Sequence, residues 1–463
     1  MRIELCKALR TPYDLADAFG VPLAGTYKGE IRGIATDSRE VKQGDLFVAL
    51  PGNRTDGELY IPAAFANGAA GVLCKTKPCE NGLFFEVQDP VEALLRAAAF
   101  YRKQSGAYMI AISGSTGKTT VKEAIATVLA EQSTVAYSQG NFNSSLGFPL
   151  SVLSFEPCTY WVAELGINHI GEMEPMARAA NPDLAVLTNV GTAHIGHFVD
   201  FSNLLGEKAK LASNLSEKGI LLTPAALPAD VFPCPADRIR RVGEGPRSDF
   251  YMENVVMNEN GVTGDLICPD RVITNLEWGV PGSVGQSTLL TVGAACALIG
   301  CSAEQIRTGL EKAGKNSPRL HTFLLGARLL IDDTYNASPE SVVGALEVLR
   351  YRATYRPRVA VLGDMLELGN HAALLHRTVG EALVRSGISM LFTYGRQARH
   401  IADGARRSGM PASVIRTFEK EEGEALADAV RRFTPHNAAI LFKASGRMEL
   451  GRIVGMIRRS EQK

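Results

Sequence analysis

The sequence has 463 residues, too many for one hydrophobic core, and predicts roughly two to four domains. Hydrophobic residues make up 46%, as in a globular enzyme, and 49 basic residues balance 49 acidic ones, so the formal net charge is zero. This balance argues against a nucleic-acid partner and against binding to an anionic membrane surface.

The N-terminal segment carries charges throughout, and no stretch is expected to be long and apolar enough to span a bilayer. The eight cysteines form no CxxC pair, which is typical of reduced, buried thiols in a cytosolic protein. We therefore expect a cytoplasmic protein with no membrane span.

Strand and helix patterns divide the chain into three regions. Residues 1–106 contain short apolar runs and end in the helical pattern VEALLRAAAFYRKQSG. Residues 107–316 alternate helical segments with the apolar runs YMIAIS, YWVAEL, LAVLTNV and GILLT. Residues 317–463 repeat this alternation with ARLLIDDTY, RVAVLGDM, SMLFTYG and AAILFKAS. Such alternation predicts an α/β protein in which the second and third regions each form a doubly wound parallel sheet.

A Gly-rich turn, GSTGKTT, lies between the predicted strand YMIAIS and a predicted helix. There, backbone N–H groups and the helix N-terminus can hold a phosphate, with Lys118 on the β- and γ-phosphates and the Thr119 hydroxyl on Mg²⁺. A full GxxxxGK[ST] motif would have glycine where this chain has Ile112, and a turn that merely caps a helix is the alternative. We predict a nucleotide site at Gly114, Ser115, Thr116, Gly117, Lys118, Thr119 and Thr120.

Two further polar residues follow predicted strands of the second region. Glu164 comes at the end of YWVAEL, and His194 lies in the turn after LAVLTNV. The carboxyl ends of parallel strands form the ligand-binding edge of such sheets, so the two side chains could hold Mg²⁺ beside the γ-phosphate. A solvated strand-end carboxylate and a surface histidine are the alternatives.

One lysine lies on the apolar face of a predicted helix. In FSNLLGEKAKLASNL, Lys208 follows Leu204 by four residues and precedes Leu211 by three, whereas Lys210 points elsewhere and can pair with Glu207. Burial can neutralise a lysine, and a neutral amine can react with CO₂ to form a carbamate that helps to hold Mg²⁺. A lysine whose stem covers apolar surface while its charge reaches water is the alternative.

These motifs together resemble the ATP-dependent Mur ligases of peptidoglycan synthesis, over essentially the whole chain. In such ligases the shortened phosphate loop is normal. The other motifs are TDSR at 36–39, NFNSSLGFP at 141–149, AELGINH at 163–169, NPDLAVLTNVGTAHIGHF at 181–198, IDDTYNASPESV at 331–342, and GDMLELG at 363–369 with His376 beyond.

The resemblance implies three domains: a UDP-substrate domain at 1–106, a central ATP-binding phosphate-loop domain at 107–316 and a C-terminal Rossmann-like ligase domain at 317–463. It implies catalytic roles for Lys118, Lys208, Glu164 and His194, with Mg²⁺ held by Thr119, Glu164, His194 and a carbamylated Lys208. It also implies nucleotide contacts from Asn189, Arg319, Asp333 and Asn336.

The resemblance assigns substrate binding to two further groups of residues. Thr36, Asp37, Ser38 and Arg39 would hold the UDP end of the donor, and the remaining substrate contacts would come from Asn141, Asn143, Lys443 and Ser445. The chain departs from the family pattern in three places. Lys210 stands two positions after Lys208, where the family often has glutamate, and Glu58 stands where histidine is usual. Lys443-Ala444-Ser445-Gly446 replaces Lys-Gly-Ser-Arg, with Arg447 one place late.

The segments DDTYNASP and GDMLELG resemble the branch that adds D-alanyl-D-alanine to UDP-N-acetylmuramoyl-tripeptide. The implied reaction transfers the γ-phosphoryl group of ATP to the tripeptide carboxylate, and the dipeptide amine then attacks the acyl phosphate. Alternatives are another Mur ligase, a ligase like folylpolyglutamate synthetase, or a nucleotide-binding regulator without ligase activity. We expect a monomer.

Overall fold

The computed structural model describes residues 1–52, 55–76, 82–315 and 319–461. The boundary predicted between the second and third regions, at residues 316 and 317, lies outside these ranges. The other predicted boundary, after residue 106, follows a helix that ends at Ser105.

The first region forms a sheet with one antiparallel edge. Its elements are β1 (Arg2–Glu4), α1 (Pro12–Phe19), β2 (Gly33–Ala35), β3 (Asp45–Val48), α2 (Ile61–Ala66), β4 (Gly71–Cys74), β5 (Leu83–Glu86) and α3 (Pro90–Ser105). The strand order is β1-β2-β3-β4-β5, with β1 antiparallel to β2 and the other neighbours parallel. A capping box between Thr11 and Asp14 begins α1, and the left-handed Gly20 ends it.

The second region forms a parallel sheet. Its first elements are β6 (Tyr108–Ser113), α4 (Lys118–Leu129), β7 (Val135–Tyr137), α5 (Gly147–Leu153), β8 (Tyr160–Glu164), α6 (Met173–Ala180), β9 (Leu184–Leu187), α7 (Phe201–Ala209), β10 (Ile220–Pro224) and β11 (Ile239–Val242). The strand order is β11-β10-β9-β6-β8-β7. Because β6 lies between β8 and β9, the segments that follow these three strands meet at one edge of the sheet.

An antiparallel meander follows, which the sequence analysis missed. It comprises β12 (Tyr251–Asn258), β13 (Gly261–Ile267) and β14 (Val272–Trp278), followed by α8 (Gly282–Ile299) and α9 (Ala303–Lys315). Short turns at Glu259-Asn260 and from Cys268 to Arg271 connect the strands. These turn signals and the half-buried alternation in β13 were the available evidence for a hairpin structure.

The helix α8 corrects one sequence-based expectation. It has a mean hydropathy of 1.4 and is, by length and composition, apolar enough to cross a bilayer, so the expectation that no stretch reaches this level was wrong. However, 61% of the helix is buried inside the protein, where it packs against α4, α9 and β13. Burial against these elements explains its apolar composition.

The third region forms a second, mostly parallel sheet. Its elements are β15 (His321–Leu325), β16 (Arg328–Asp332), α10 (Pro339–Arg352), β17 (Arg358–Gly363), α11 (Ala372–Arg385), β18 (Met390–Tyr394), α12 (Arg399–Arg407), β19 (Ile415–Phe418), α13 (Gly423–Phe433), β20 (Ala439–Lys443) and α14 (Leu450–Glu461). The strand order is β15-β16-β20-β17-β18-β19, and β15 is antiparallel to β16. Placing β20 between β16 and β17 brings the segments after Asp332, Lys443 and Gly363 together.

A glycine allows α9 to pack closely on α4, the helix that follows the phosphate loop. A Cβ atom at Gly309 would lie 2.5 Å from the Cα atom of Val128 in α4. We expect Gly309→Ala to lower the free energy of unfolding by about 1–3 kcal/mol because the helix backbones must separate. Gly455→Ala in α14 is the matched control, since the nearest atom to its new Cβ lies 3.6 Å away on the Arg459 side chain.

Denaturant unfolding of the two variants measures this difference. The control should be neutral or stabilised by up to about 1 kcal/mol, the ordinary helix preference for alanine over glycine. Equal stabilities for the two variants would show that α4 and α9 can move apart without loss.

Candidate active site

A cavity of about 1390 Å³ lies between the second and third regions; we call it the central cavity. It exceeds the roughly 300–1,000 Å³ typical of a pocket for one small ligand. Sixteen of the predicted site residues line it: Ser115, Thr116, Gly117, Lys118, Thr119, Thr120, Asn141, Asn143, Glu164, Asn189, His194, Arg319, Asp333, Asn336, Lys443 and Ser445. The described residues that line it do not include Gly114, Lys208 or the 36–39 segment.

The phosphate loop has the strand–turn–helix context that the sequence predicted. The strand β6 ends at Ser113, and α4 begins at Lys118. Gly114 has φ of +148°, and a Cβ there would lie 2.0 Å from Thr188 Oγ1, so only glycine fits. No side chain caps α4, which leaves its first N–H groups for water or a bound anion.

The segment after β9 holds the phosphate loop in place. The side-chain oxygen of Asn189 accepts from the Thr116 N–H at 3.0 Å, and its amide nitrogen donates to Thr116 Oγ1 at 2.8 Å. The Thr188 hydroxyl donates to the Thr116 carbonyl at 2.6 Å, and the Gly191 N–H donates to Ser115 Oγ at 2.8 Å. Asn189, which we expected to contact the nucleotide, therefore also fixes the loop that would bind it.

Two lysine amines share one carbonyl group behind this loop. Lys118 Nζ donates to the Gly114 carbonyl at 2.9 Å, and Lys208 Nζ donates to the same oxygen at 3.2 Å. Lys208 is 1% exposed, as its place on the apolar helix face predicted, whereas Lys210 pairs with Glu207 at 2.8 Å. Burial, followed by the charge of Lys118, holds the pKa of Lys208 well below its usual range. The structure therefore favours a neutral amine at Lys208.

Two oxygen atoms in the central cavity are spaced for a hard divalent cation. Thr119 Oγ1 donates to Glu164 Oε2 at 2.9 Å, and Asn143 donates to Glu164 Oε1 at 2.8 Å. In an octahedral Mg²⁺ site each oxygen ligand lies 2.0–2.1 Å from the ion, so two adjacent ligands are also about 2.9 Å apart. His194 lines the same cavity. Hydroxyl, carboxylate and imidazole donors thus fit the predicted Mg²⁺ set, although the described residues contain no group of three or more His, Cys, Asp or Glu arranged for a metal.

The loops of the third region are tied by residues that we expected to bind ligands. Lys443 Nζ donates to Asp333 Oδ2 at 2.5 Å and to the Asn336 carbonyl at 2.9 Å, and the Lys443 side chain is buried. Ser445 Oγ accepts from the Leu366 N–H at 2.9 Å. These contacts hold the segments after β16, β17 and β20 at one edge.

An aromatic side chain bridges the two regions. The Arg319 guanidinium stacks on the Tyr335 ring at 3.6 Å from the ring centroid. The Tyr335 hydroxyl in turn donates to the Asn141 side chain of the second region. Asn141 and Arg319, predicted from motifs 178 positions apart in the printed sequence, are thus linked through one tyrosine.

The predicted UDP-binding segment lies directly after β2. Arg39 pairs with Asp37 at 2.6 Å, which lowers the pKa of the Asp37 carboxyl, and the Arg39 side chain is 86% exposed. Ser38 is buried. In the same region Glu58 Oε1 accepts from the N–H groups of Lys75 and Thr76 at 2.7 and 2.8 Å, so this departure from the family pattern supports the end of β4.

Sequence reasoning assigned no role to Glu367, although it lies in the motif GDMLELG. Glu367 Oε2 is 2.5 Å from His194 Nδ1, and Glu367 Oε1 accepts from Arg447 at 2.5 Å. The bond to His194, and to a smaller extent the bond to Arg447, lower the pKa of the Glu367 carboxyl to about 2 and keep it ionised. The motif GDMLELG was the available signal for Glu367, but the partner of Glu367, His194, lies 173 positions earlier in the sequence.

Comparison with known proteins matches three family profiles to this chain. They are described as "Mur ligase family, catalytic domain" over residues 30–99, "Mur ligase middle domain" over 112–296, and "Mur ligase, glutamate ligase domain" over 319–446. A relative from Bacillus subtilis named UDP-N-acetylmuramoyl-tripeptide--D-alanyl-D-alanine ligase is 33% identical, covering 92% of each chain. The chain belongs to the Mur ligase family.

A second relative and two solved structures are also similar to this Mur ligase. An Escherichia coli protein of the same name is 32% identical over 82% of this chain and 86% of its own. A crystal structure titled MurF from Acinetobacter baumannii superposes with a TM-score of 0.88 at 26% identity, covering 99% of each chain. A Thermotoga maritima MurF structure in complex with ADP has a TM-score of 0.81, and at 24% identity it supports the fold alone. The predicted α/β architecture with three domains is confirmed.

His376 supports the turn that carries Glu367 in this Mur ligase. Its Nε2 accepts from the Met365 N–H at 3.0 Å, and its Nδ1 is 2.7 Å from the Ala372 carbonyl. Burial lowers the pKa of His376 from 6.5 to about 4, so the folded protein keeps the ring neutral.

Acid should therefore destabilise the third domain through His376. The unfolded chain keeps the higher pKa and binds the proton first, so stability is lost as the pH falls from about 6.5 towards 4. Between pH 7 and pH 5 this group should contribute a loss of about 2 kcal/mol. Urea unfolding at both pH values should show a smaller loss for His376→Gln than for wild type. His436→Gln, at an exposed position, is the control and should keep the wild-type pH dependence.

Proposed function

We propose that this Mur ligase uses ATP to join D-alanyl-D-alanine to UDP-N-acetylmuramoyl-tripeptide in peptidoglycan precursor synthesis. One observation carries the proposal: the phosphate loop, the Thr119–Glu164 pair and the tied loops of the third domain all line one cavity. That cavity has space for a nucleotide beside a second substrate. The relatives named for this reaction cover most of the chain.

The proposed chemistry has two steps. The tripeptide carboxylate attacks the γ-phosphorus of ATP, and the bond to the leaving ADP breaks, which gives an acyl phosphate. The amine of D-alanyl-D-alanine then attacks the acyl carbon, an amide forms, and phosphate and a proton leave. No protein nucleophile is needed, so the residues of the chain act by holding charge and geometry.

Each predicted residue has a place in this scheme. Lys118 and the N-terminus of α4 would hold the phosphates. Arg319, Asp333 and Asn336 would reach the nucleotide from the third domain. Mg²⁺, held by Thr119, Glu164 and His194, would offset negative charge on the transferred group.

We further propose that Lys208 carries a carbamate. The burial of this amine beside Lys118, which lowers its pKa, supports the proposal, since a carbamate would place a negative charge next to the Lys118 amine. The modified side chain would then join the Mg²⁺ ligands.

The remaining assignments complete the proposal. Thr36, Asp37, Ser38 and Arg39 would bind the UDP end of the donor in the first domain. The remaining substrate contacts would come from Asn141, Asn143, Lys443 and Ser445. We propose a cytoplasmic monomer, in keeping with the free thiols among the described cysteines.

Phosphate release from ATP and Mg²⁺ tests the activity, with the UDP-linked tripeptide and D-alanyl-D-alanine added separately and together. Release should require both, and mass spectrometry should show the pentapeptide product. Lys118→Met should lose at least about 100-fold in rate because charge stabilisation in the transition state is lost. Phosphate release that requires the tripeptide but does not depend on the dipeptide would mean a different acceptor. ATP turnover that depends on neither substrate would indicate a regulator.

Chemical rescue tests the carbamate. Lys208→Ala should lose at least about 100-fold in rate and recover in part when a short carboxylic acid such as acetate is added, because the acid replaces the missing anion. Lys210→Ala, two positions away and partly exposed, is the control and should need no rescue. Full activity of Lys208→Ala without any added acid would exclude the carbamate.

A further inference from the structure

Glu367 makes three bonds at the interface between the second and third domains. Its Oε2 meets His194 Nδ1 at 2.5 Å, its Oε1 accepts from Arg447 at 2.5 Å, and its carbonyl accepts from the Gly196 N–H at 3.0 Å. Both carboxylate oxygens are therefore fixed, one of them against a predicted cation ligand.

The backbone at this contact is unusual on both sides. His194 has φ of +65° and Glu367 has φ of +64°, the left-handed region that non-glycine residues seldom adopt. The turns also touch directly, since a Cβ at Gly196 would lie 2.4 Å from the Gly369 nitrogen. Such conformations persist only where the surroundings hold them, and here each turn holds the other.

The bond to Nδ1 decides what the other ring nitrogen can do. An ionised carboxylate accepts only, so a neutral His194 ring must carry its one proton on Nδ1, and in that tautomer the Nε2 lone pair is left for a cation. Ligating histidines commonly donate their second nitrogen to a carboxylate in this way, which fixes both ring orientation and basicity.

We propose that Glu367 is a positioning residue that fixes the tautomer and orientation of His194 for the divalent cation. The proposal rests on the proposed function, in which His194 is a cation ligand. Because Glu367 belongs to the third domain, this contact exists only while that domain is docked on the second. The cation site of the second domain is thereby completed by a residue of the third.

Other carboxylates at the same interface provide a comparison. Glu347 accepts from the Ser283 N–H at 3.0 Å and from its hydroxyl at 2.5 Å. Glu340 accepts from the Thr192 N–H and hydroxyl at 2.6 and 2.8 Å. These bonds join the domains without touching His194, so Glu347→Ala, which removes the acceptor for Ser283, weakens docking alone and serves as the matched control.

The first readout is the tautomer of His194 in the metal-free protein. Selective ¹⁵N-histidine labelling gives signals from eight histidines, and comparison with His194→Asn assigns the one of interest. Wild type should show the Nδ1–H tautomer. Glu367→Ala should give a mixture of tautomers, whereas Glu367→Gln, whose amide oxygen still accepts, should retain Nδ1–H.

The second readout is Mn²⁺ affinity, measured by electron paramagnetic resonance with a non-hydrolysable ATP analogue. Glu367→Ala should bind Mn²⁺ about 10- to 100-fold more weakly, and Glu367→Gln should lose less. Glu347→Ala should stay within about twofold of wild type, because it leaves the partner of His194 in place. If Glu367→Ala does not fold, Glu367→Met, which keeps the length of the side chain but has no oxygen acceptor, takes its place in both measurements with the same control.

Two results would overturn the proposal. One is a Glu367→Ala protein that keeps both the Nδ1–H tautomer and the wild-type Mn²⁺ affinity. The other is an equal loss of affinity in Glu347→Ala, which would assign the effect to docking. Amide-bond formation by the wild-type protein tests the proposed function separately, because the His194 tautomer is measured without substrates.

Discussion

Hydrogen bonds on both sides of the segment from Thr188 to His197 hold the active site together. On one side, Asn189 and Gly191 bind the phosphate loop at Thr116 and Ser115. On the other side, Thr192 and His194 meet carboxylates of the third domain. Because one short segment makes both sets of contacts, movement of the third domain is transmitted directly to the loop that would hold the nucleotide.

A second constraint is the close approach of two lysine amines behind the phosphate loop. The amines of Lys118 and Lys208 approach one carbonyl oxygen, and burial disfavours a charge on either. The carboxylate of Glu164 favours the charged form of Lys118, whereas Lys118 itself disfavours a charge on Lys208. Burial and the neighbouring Lys118 thus both favour the neutral form of the Lys208 amine, which is the form that can become a carbamate.

Local patterns predicted much of this molecule. Apolar runs located β6, β8, β16, β17 and β20, because strands buried on both faces need continuous apolar sequence. Helical spacing separated the buried Lys208 from the partly exposed Lys210. The meander at 251–278 was missed because the regular alternation of the surrounding α/β units dominated the interpretation. The partnership of His194 and Glu367 could not be read either, since it depends on how two domains pack across 173 positions.

The altered segment from Lys443 to Arg447 shows how one motif can serve structure and function together. Lys443 is already bonded to the Asp333 carboxylate and the Asn336 carbonyl, so two of the three N–H groups of its ammonium support the loops and one is left for a substrate. Ser445 likewise supports Leu366 in the turn before Glu367. Arg447, one place later than in the family pattern, reaches Glu367 itself. In this chain the segment therefore ties the loops through Lys443 and Ser445, and its Arg447 guanidinium contacts the carboxylate that meets His194.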